Sequence, residues 1–161
     1  MSELTKDNIV GRWVIIATER GKRPSDWANE PSMKAGGLCP FCPGNEDKTP
    51  PEVYAVRPDG KSSANGPRWQ LRVVPNKFPA LGIEGNLDKR AQGIYDRMNG
   101  VGAHEVIIER PDHVATSTDL PDDHRAQIIW AYKQRLIDLA RDIRFSYGMV
   151  FKNVGAAAGA S

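Results

Sequence analysis

Across 161 residues, 22 basic and 20 acidic side chains leave a net charge of +2. A chain that is 40% hydrophobic and 26% charged can bury a core of its own as one domain, residues 1–161, which excludes wholesale disorder. The charges are well mixed and no apolar run approaches the roughly 20 residues of a membrane span, so neither nucleic acid nor membrane is an expected partner. Residues 1–8 are polar and lack an apolar signal core, which makes the cytoplasm the expected location.

Residues 10–19 (VGRWVIIATE) are apolar and β-branched enough to predict a strand. From 20 to 52 the chain is rich in Gly, Pro, Asn, Asp and Ser and reads as a loop, long enough to need a function or a staple. Residues 53–57 and 69–75 predict the next strands, 81–102 reads as irregular, and 105–110 (EVIIER) predicts a short strand that 114–117 extends. Residues 121–144 predict the one long helix. Ile129, Tyr132, Leu136, Leu139 and Ile143 recur at spacings of three and four and form its expected buried face. Pro121 suits the first turn, and Asp122 and Asp123 suit the helix N-terminus. A last strand is predicted over 148–153, running into the small-residue tail GAAAGAS. The pattern is α+β: an antiparallel sheet covered by one long helix.

Four groups of residues carry potential chemistry. Cys39 and Cys42, the only cysteines, stand at Cys-x-x-Cys spacing inside the long loop. Two thiolates so placed can grip one tetrahedral zinc; a redox pair or two inert thiols are the alternatives. Pro43-Gly44-Asn45 follows, which favours a turn over the helix that a redox pair prefers. Further ligands would come from His104, His113 or His124. His113 follows a Pro-Asp bend, His104 is its rival, and His124 reads as a structural residue. Arg20, Lys22 and Arg23 could clamp a phosphate or simply be solvated. The small residues after Asn153 let backbone N–H groups approach an anion, although no P-loop or dinucleotide fingerprint is present.

Five segments in order, GRWVIIATERGKRP, CPFCPGNE, WQLRVVPNKFPAL, GAHEVIIERPDH and VFKNVGAAAGAS, resemble the galactose-1-phosphate uridylyltransferases and the related ADP-glucose phosphorylases. The resemblance implies a histidine-triad-like half-barrel of antiparallel strands with a helix packed on it. It implies a two-step transfer in which a histidine takes a nucleotidyl group from a nucleotide sugar and passes it to a second acceptor, covalent catalysis that splits one transfer into two. The expected reaction moves UMP from UDP-glucose to galactose 1-phosphate; ADP-glucose phosphorolysis is the near alternative, and a non-catalytic zinc-stapled nucleotide-binding module is the distant one. Carried over by residue, Cys39, Cys42 and His113 would bind one Zn2+. Arg20 and Arg23 would reach the nucleotide sugar across a homodimer interface. Asn76 and Lys77 fall at the nucleoside contact, where some relatives carry aspartate in place of Lys77, and Asn153, Gly159, Ala160 and Ser161 fall at the phosphates. The nucleophile and the fourth zinc ligand would lie in a His-x-His motif beyond Ser161, so these 161 residues are expected to be inactive alone.

Overall fold

The computed structural model describes residues 2–22, 39–112 and 119–153. Its strands are β1 (Glu3–Lys6), β2 (Trp13–Ile16), β3 (Tyr54–Val56), β4 (Leu71–Pro75), β5 (Arg90–Gln92), β6 (Tyr95–Asn99) and β7 (Glu105–Ile108), followed by one helix, α1 (Asp122–Leu139). All named strand pairs are antiparallel. The α+β class is as expected, but the strands divide into two sheets: a four-stranded one ordered β2-β1-β6-β5 and a three-stranded one ordered β3-β4-β7.

The core sits on the smaller sheet, because β4 is central there and buried on both faces. Leu71 and Val73 point to one side and pack with Leu120, Ile128 and Ala131, the last two from α1. Val74 points to the other and packs with Trp69 and Ile108. Between them Arg72, only 1% exposed, is held by Glu52 at 2.9 Å, with its guanidinium over the Trp69 ring. Arg57 joins the same carboxylate at 2.8 Å. The three charges satisfy one another where water cannot.

The larger sheet is a thin layer. β2 is its edge, and Trp13, Val14, Ile15 and Ile16 are all exposed. The strand expected over 10–19 shortens to β2 because Gly11 adopts φ 70° and Asp7 Oδ1 accepts the Ile9 and Val10 N–H groups, folding 7–12 into the turn from β1. The end of that stretch becomes a 3-10 turn, Thr18–Lys22.

Several expectations need correction. β5 (RAQ) and β6 (YDRMN) occupy the segment expected to be irregular, and β1 (ELTK) lies in the polar start for which no element is expected, since polar strands stabilised by ladder pairing show no apolar period. Residues 148–153 form no strand; Met149, Val150 and Phe151 are exposed. The helix ends at Leu139, after which i→i−3 bonds from Arg141 and Asp142 tighten the chain. Its inward stripe runs through Ile128, Ala131, Tyr132, Arg135 and Leu139, whereas Ile129, Leu136 and Ile143 face outward. Tyr132 and Leu139 stand where expected; Ile128 and Arg135 take the places expected of Ile129 and Leu136, one residue earlier, and Ile143 lies past the end of the helix. Segments 114–117 and 154–161 lie outside the described residues.

Candidate metal and nucleotide sites

The cysteine pair forms a tight turn. Cys42 N–H donates to Cys39 O at 3.3 Å, Asn45 N–H donates to Cys42 O at 3.2 Å, and Gly44 takes φ 88°. The Asn45 side chain closes the turn by donating to Cys39 O at 2.8 Å. Desolvation, then the neighbouring Cys39 sulfur, pushes the Cys42 thiol up from its ordinary value. Two thiols this close suit one soft cation, which would remove the protons and neutralise the mutual repulsion of the thiolates. The donor set therefore fits zinc at two of its positions.

The sequence did not reveal what anchors this turn. Glu46 accepts the Trp69 indole N–H at 2.9 Å and the Gly44 N–H at 3.0 Å. Burial alone would raise the Glu46 carboxyl, but the indole and the backbone N–H donors outweigh it and hold the group below the usual carboxylate range. Trp69 in turn packs on Ile108, the last residue of β7. The cysteine turn is thus fastened to the end of the sheet from which the chain leaves β7 toward Asp112. His113 itself lies outside the described residues. Among the described residues no third His, Cys, Asp or Glu joins the pair as a metal-binding group. His104, the rival ligand, has its ring at Ala80 N–H, 2.9 Å, and the Asn76 amide, 3.2 Å. His124 is 2.6 Å from Glu109 O, which makes it the structural residue expected.

A second site opens between the turn after β2 and the segment after β4. The 3-10 turn after β2 supplies Glu19 and Arg20, the segment after β4 supplies Lys77, Phe78 and Pro79, and together they line a cleft of about 210 Å³. Of the residues expected at the nucleotide, Arg20 and Lys77 come together here, while Asn76, next to Lys77 in the chain, is turned to His104. Two cations, Arg20 and Lys77, and one carboxylate, Glu19, thus share one concave site. Arg23, Gly159, Ala160 and Ser161 lie outside the described residues. Asn153 is exposed, and its neighbour Lys152 is tied to Glu109, at the end of β7 opposite to His104 and Asn76. Asn153 is thus not brought into the cleft.

With this geometry in hand, three comparisons place the molecule. A family model described as the N-terminal domain of galactose-1-phosphate uridyl transferase matches residues 2–161. ADP-glucose phosphorylase from Arabidopsis thaliana is 38% identical over 99% of this chain and 45% of its own length. Galactose-1-phosphate uridylyltransferase from Thermotoga maritima is 24% identical over 100% of this chain and 43% of its own. Among solved structures, the Arabidopsis phosphorylase with bound ADP-glucose superposes with a TM-score of 0.63 at 36% identity, covering 100% of this chain and 45% of that one. A uridylyltransferase structure gives a TM-score of 0.67 at 23% identity, covering 98% of this chain and 41% of that one, a likeness of fold alone.

Fold and relatives define the class, an α+β domain of two antiparallel sheets and one helix that occurs within nucleotide-sugar enzymes. The chain belongs to the galactose-1-phosphate uridylyltransferase family and corresponds to its N-terminal domain. It spans less than half the length of these relatives.

Proposed function

We propose that this domain binds a nucleotide sugar and presents its diphosphate for nucleotidyl transfer. The observation that carries this reading is the cleft in which Arg20 and Lys77 stand together beside the Phe78 ring. Two cations against the single carboxylate of Glu19 leave the concavity able to attract an anion, and an aromatic wall beside them suits a base or sugar. Between the two reactions expected from the sequence, the 38% identity to an ADP-glucose phosphorylase, against 24% to a uridylyltransferase, favours ADP-glucose over UDP-glucose as the donor. A nucleotidyl-histidine intermediate and a homodimer remain part of the proposal for the whole protein. Arg20 shares its cleft with Lys77 of the same chain, which favours its acting within one subunit.

We further propose that Cys39, Cys42 and His113 hold one zinc ion, which would staple the loop to the sheet. When bound, the ion supplies structural cross-linking; Asn45, Glu46 and Trp69 hold the thiols in place for it.

Calorimetric titration with ADP-glucose and UDP-glucose tests the nucleotide reading. Losing either cation removes a charge-assisted contact, so Arg20→Ala and Lys77→Ala are each expected to weaken binding about tenfold to a hundredfold. Absence of binding to either nucleotide at millimolar concentration would overturn it. Unchanged affinity in both variants would move the site elsewhere.

A further inference from the structure

The segment that carries Lys77 and Phe78 to the cleft belongs to no strand or helix, so its hold on the sheet needs an account. Asn76 N–H donates to His104 O at 2.8 Å, the last rung beyond the β4–β7 ladder. Phe78 N–H donates to Asn76 Oδ1 at 2.8 Å. Pro79 has no N–H to give. Ala80 N–H donates to the His104 ring at Nδ1, 2.9 Å. The other ring nitrogen, Nε2, lies 3.2 Å from the Asn76 amide. One histidine therefore meets both ends of the Asn76 to Ala80 bend, by its carbonyl and by its ring.

The chain beyond is strapped to the same stretch. Gly82 N–H donates to Gly100 O at 3.0 Å, and Gly102 N–H donates to Gly82 O at 2.8 Å. A Cβ on Gly102 would meet the Leu81 side chain at 2.7 Å, so the two stretches lie in close contact. This second strap begins two residues past Ala80. It leaves the His104 ring as the anchor that reaches the bend from outside it, beside the Asn76 side chain within it.

We propose that His104 is a positioning residue, whose Nδ1 lone pair holds the 76–80 bend so that Lys77 and Phe78 face the cleft. The inference rests on the nucleotide reading for its consequence and on hydrogen-bond geometry for its substance. A backbone N–H can only donate, so Nδ1 must be the acceptor; a neutral ring then carries its proton on Nε2, which faces the Asn76 Nδ2 amide as donor to donor, so the ring holds the bend through Nδ1 alone. Asparagine places an oxygen where histidine has Nδ1, whereas glutamine carries its acceptor one bond further out. The latch therefore predicts that asparagine, and not glutamine, replaces histidine.

The experiment compares His104→Ala, His104→Asn and His104→Gln in the whole chain, reading amide hydrogen exchange at Ala80 and calorimetric affinity for ADP-glucose and UDP-glucose. Loss of one hydrogen bond is expected to speed Ala80 exchange and to weaken nucleotide binding by about tenfold each in the alanine and glutamine variants. The asparagine variant should stay within about threefold of the wild type in both. Wild-type exchange at Ala80 in the alanine or glutamine variant would overturn the latch, as would a folded asparagine variant as impaired as alanine. If the alanine variant does not fold, the glutamine and asparagine pair decides by the same contrast. If the wild type binds neither nucleotide sugar, the nucleotide reading fails, while the Ala80 exchange still decides for or against the latch.

Discussion

Replacing Glu52 by glutamine should destabilise the domain strongly. Its carboxylate, 5% exposed, sits between Arg57 and Arg72, which are 10% and 1% exposed. Glutamine keeps the shape and one acceptor oxygen but not the charge, so the Arg72 guanidinium is left in the interior with no anion against it, beside the Trp69 ring and the Thr49 hydroxyl. Breaking a buried ion pair from one side costs about 3–5 kcal/mol, a large part of the roughly 5–15 kcal/mol that holds a domain together. With a urea slope of about 1–3 kcal/mol/M, the midpoint should fall by at least about 1 M. Trp69, stacked under Arg72, supplies a fluorescence signal for the unfolding curve. Adding Arg72→Met to Glu52→Gln should recover part of the loss, since an apolar replacement removes the stranded charge. The pH dependence follows from the same contacts. Burial would raise the Glu52 carboxyl, but hydrogen bonds from Arg57, Asn65 and Arg72 more than offset it and leave the group below its ordinary range. The unfolded chain therefore takes up this proton first as the solution is acidified. The stability it contributes is complete above the unfolded value near 4.3 and is lost as pH falls through the folded one. The wild type should lose stability below about pH 4 more steeply than the glutamine variant. A loss under about 1 kcal/mol at neutral pH, with unchanged acid sensitivity, would refute the reasoning.

The rotated helix face gives a paired test: Ile128→Ala should cost about 2–5 kcal/mol in denaturant, while Leu136→Ala, at a position 40% exposed, should cost under about 1 kcal/mol. Tyr132, raised to about 12 by burial and by Glu109, should supply the last phase of an alkaline absorbance titration, and Tyr132→Phe should remove it. Because its folded value exceeds the unfolded one, stability from this phenol is intact below about pH 10 and is lost as pH rises through 12. For the metal, zinc should copurify in a 1:1 ratio, and Cys39→Ala with Cys42→Ala should abolish it by elemental analysis; full retention would reject the ligand assignment. Glu46→Ala, which unties Trp69 from the cysteine turn, should weaken zinc affinity by roughly ten- to a hundredfold without removing a ligand.

The parts of this molecule legible in its sequence are those where burial and covalent constraint coincide. Leu71 to Pro75 and Glu105 to Ile108 announce themselves because apolar β-branched residues have little other use at that density. Cys-Pro-Phe-Cys-Pro-Gly-Asn specifies its turn almost alone, since proline and glycine leave few backbones open. The polar strands were hidden because their stability lies in main-chain pairing, which leaves no mark on side-chain hydropathy. The helix face was misplaced by one position because Ala131, fully buried, carries little hydrophobic weight, whereas Ile129 carries much and is exposed. Arg72 and Trp69 were read only as members of a strand. That a charged residue lies inside it follows from Glu52, 20 residues earlier, a pairing with no local signature. In the sequence His104 reads as a possible zinc ligand, and only the tertiary fold puts its ring against Ala80.

The outer strand of the larger sheet bears on how the protein behaves in concentrated solution. Val14, Ile15 and Ile16 form an uncharged β-branched run on an edge whose side chains all meet solvent, with Arg12 and Glu19 the nearest charges in the chain on either side. Such an edge is a template on which a like strand from another molecule can grow, and once begun the growth seeds itself. Storage at high concentration should therefore favour slow, nucleated precipitation rather than sudden unfolding. A lysine at position 15 would blunt the template while leaving Leu71, Val73 and the helix untouched.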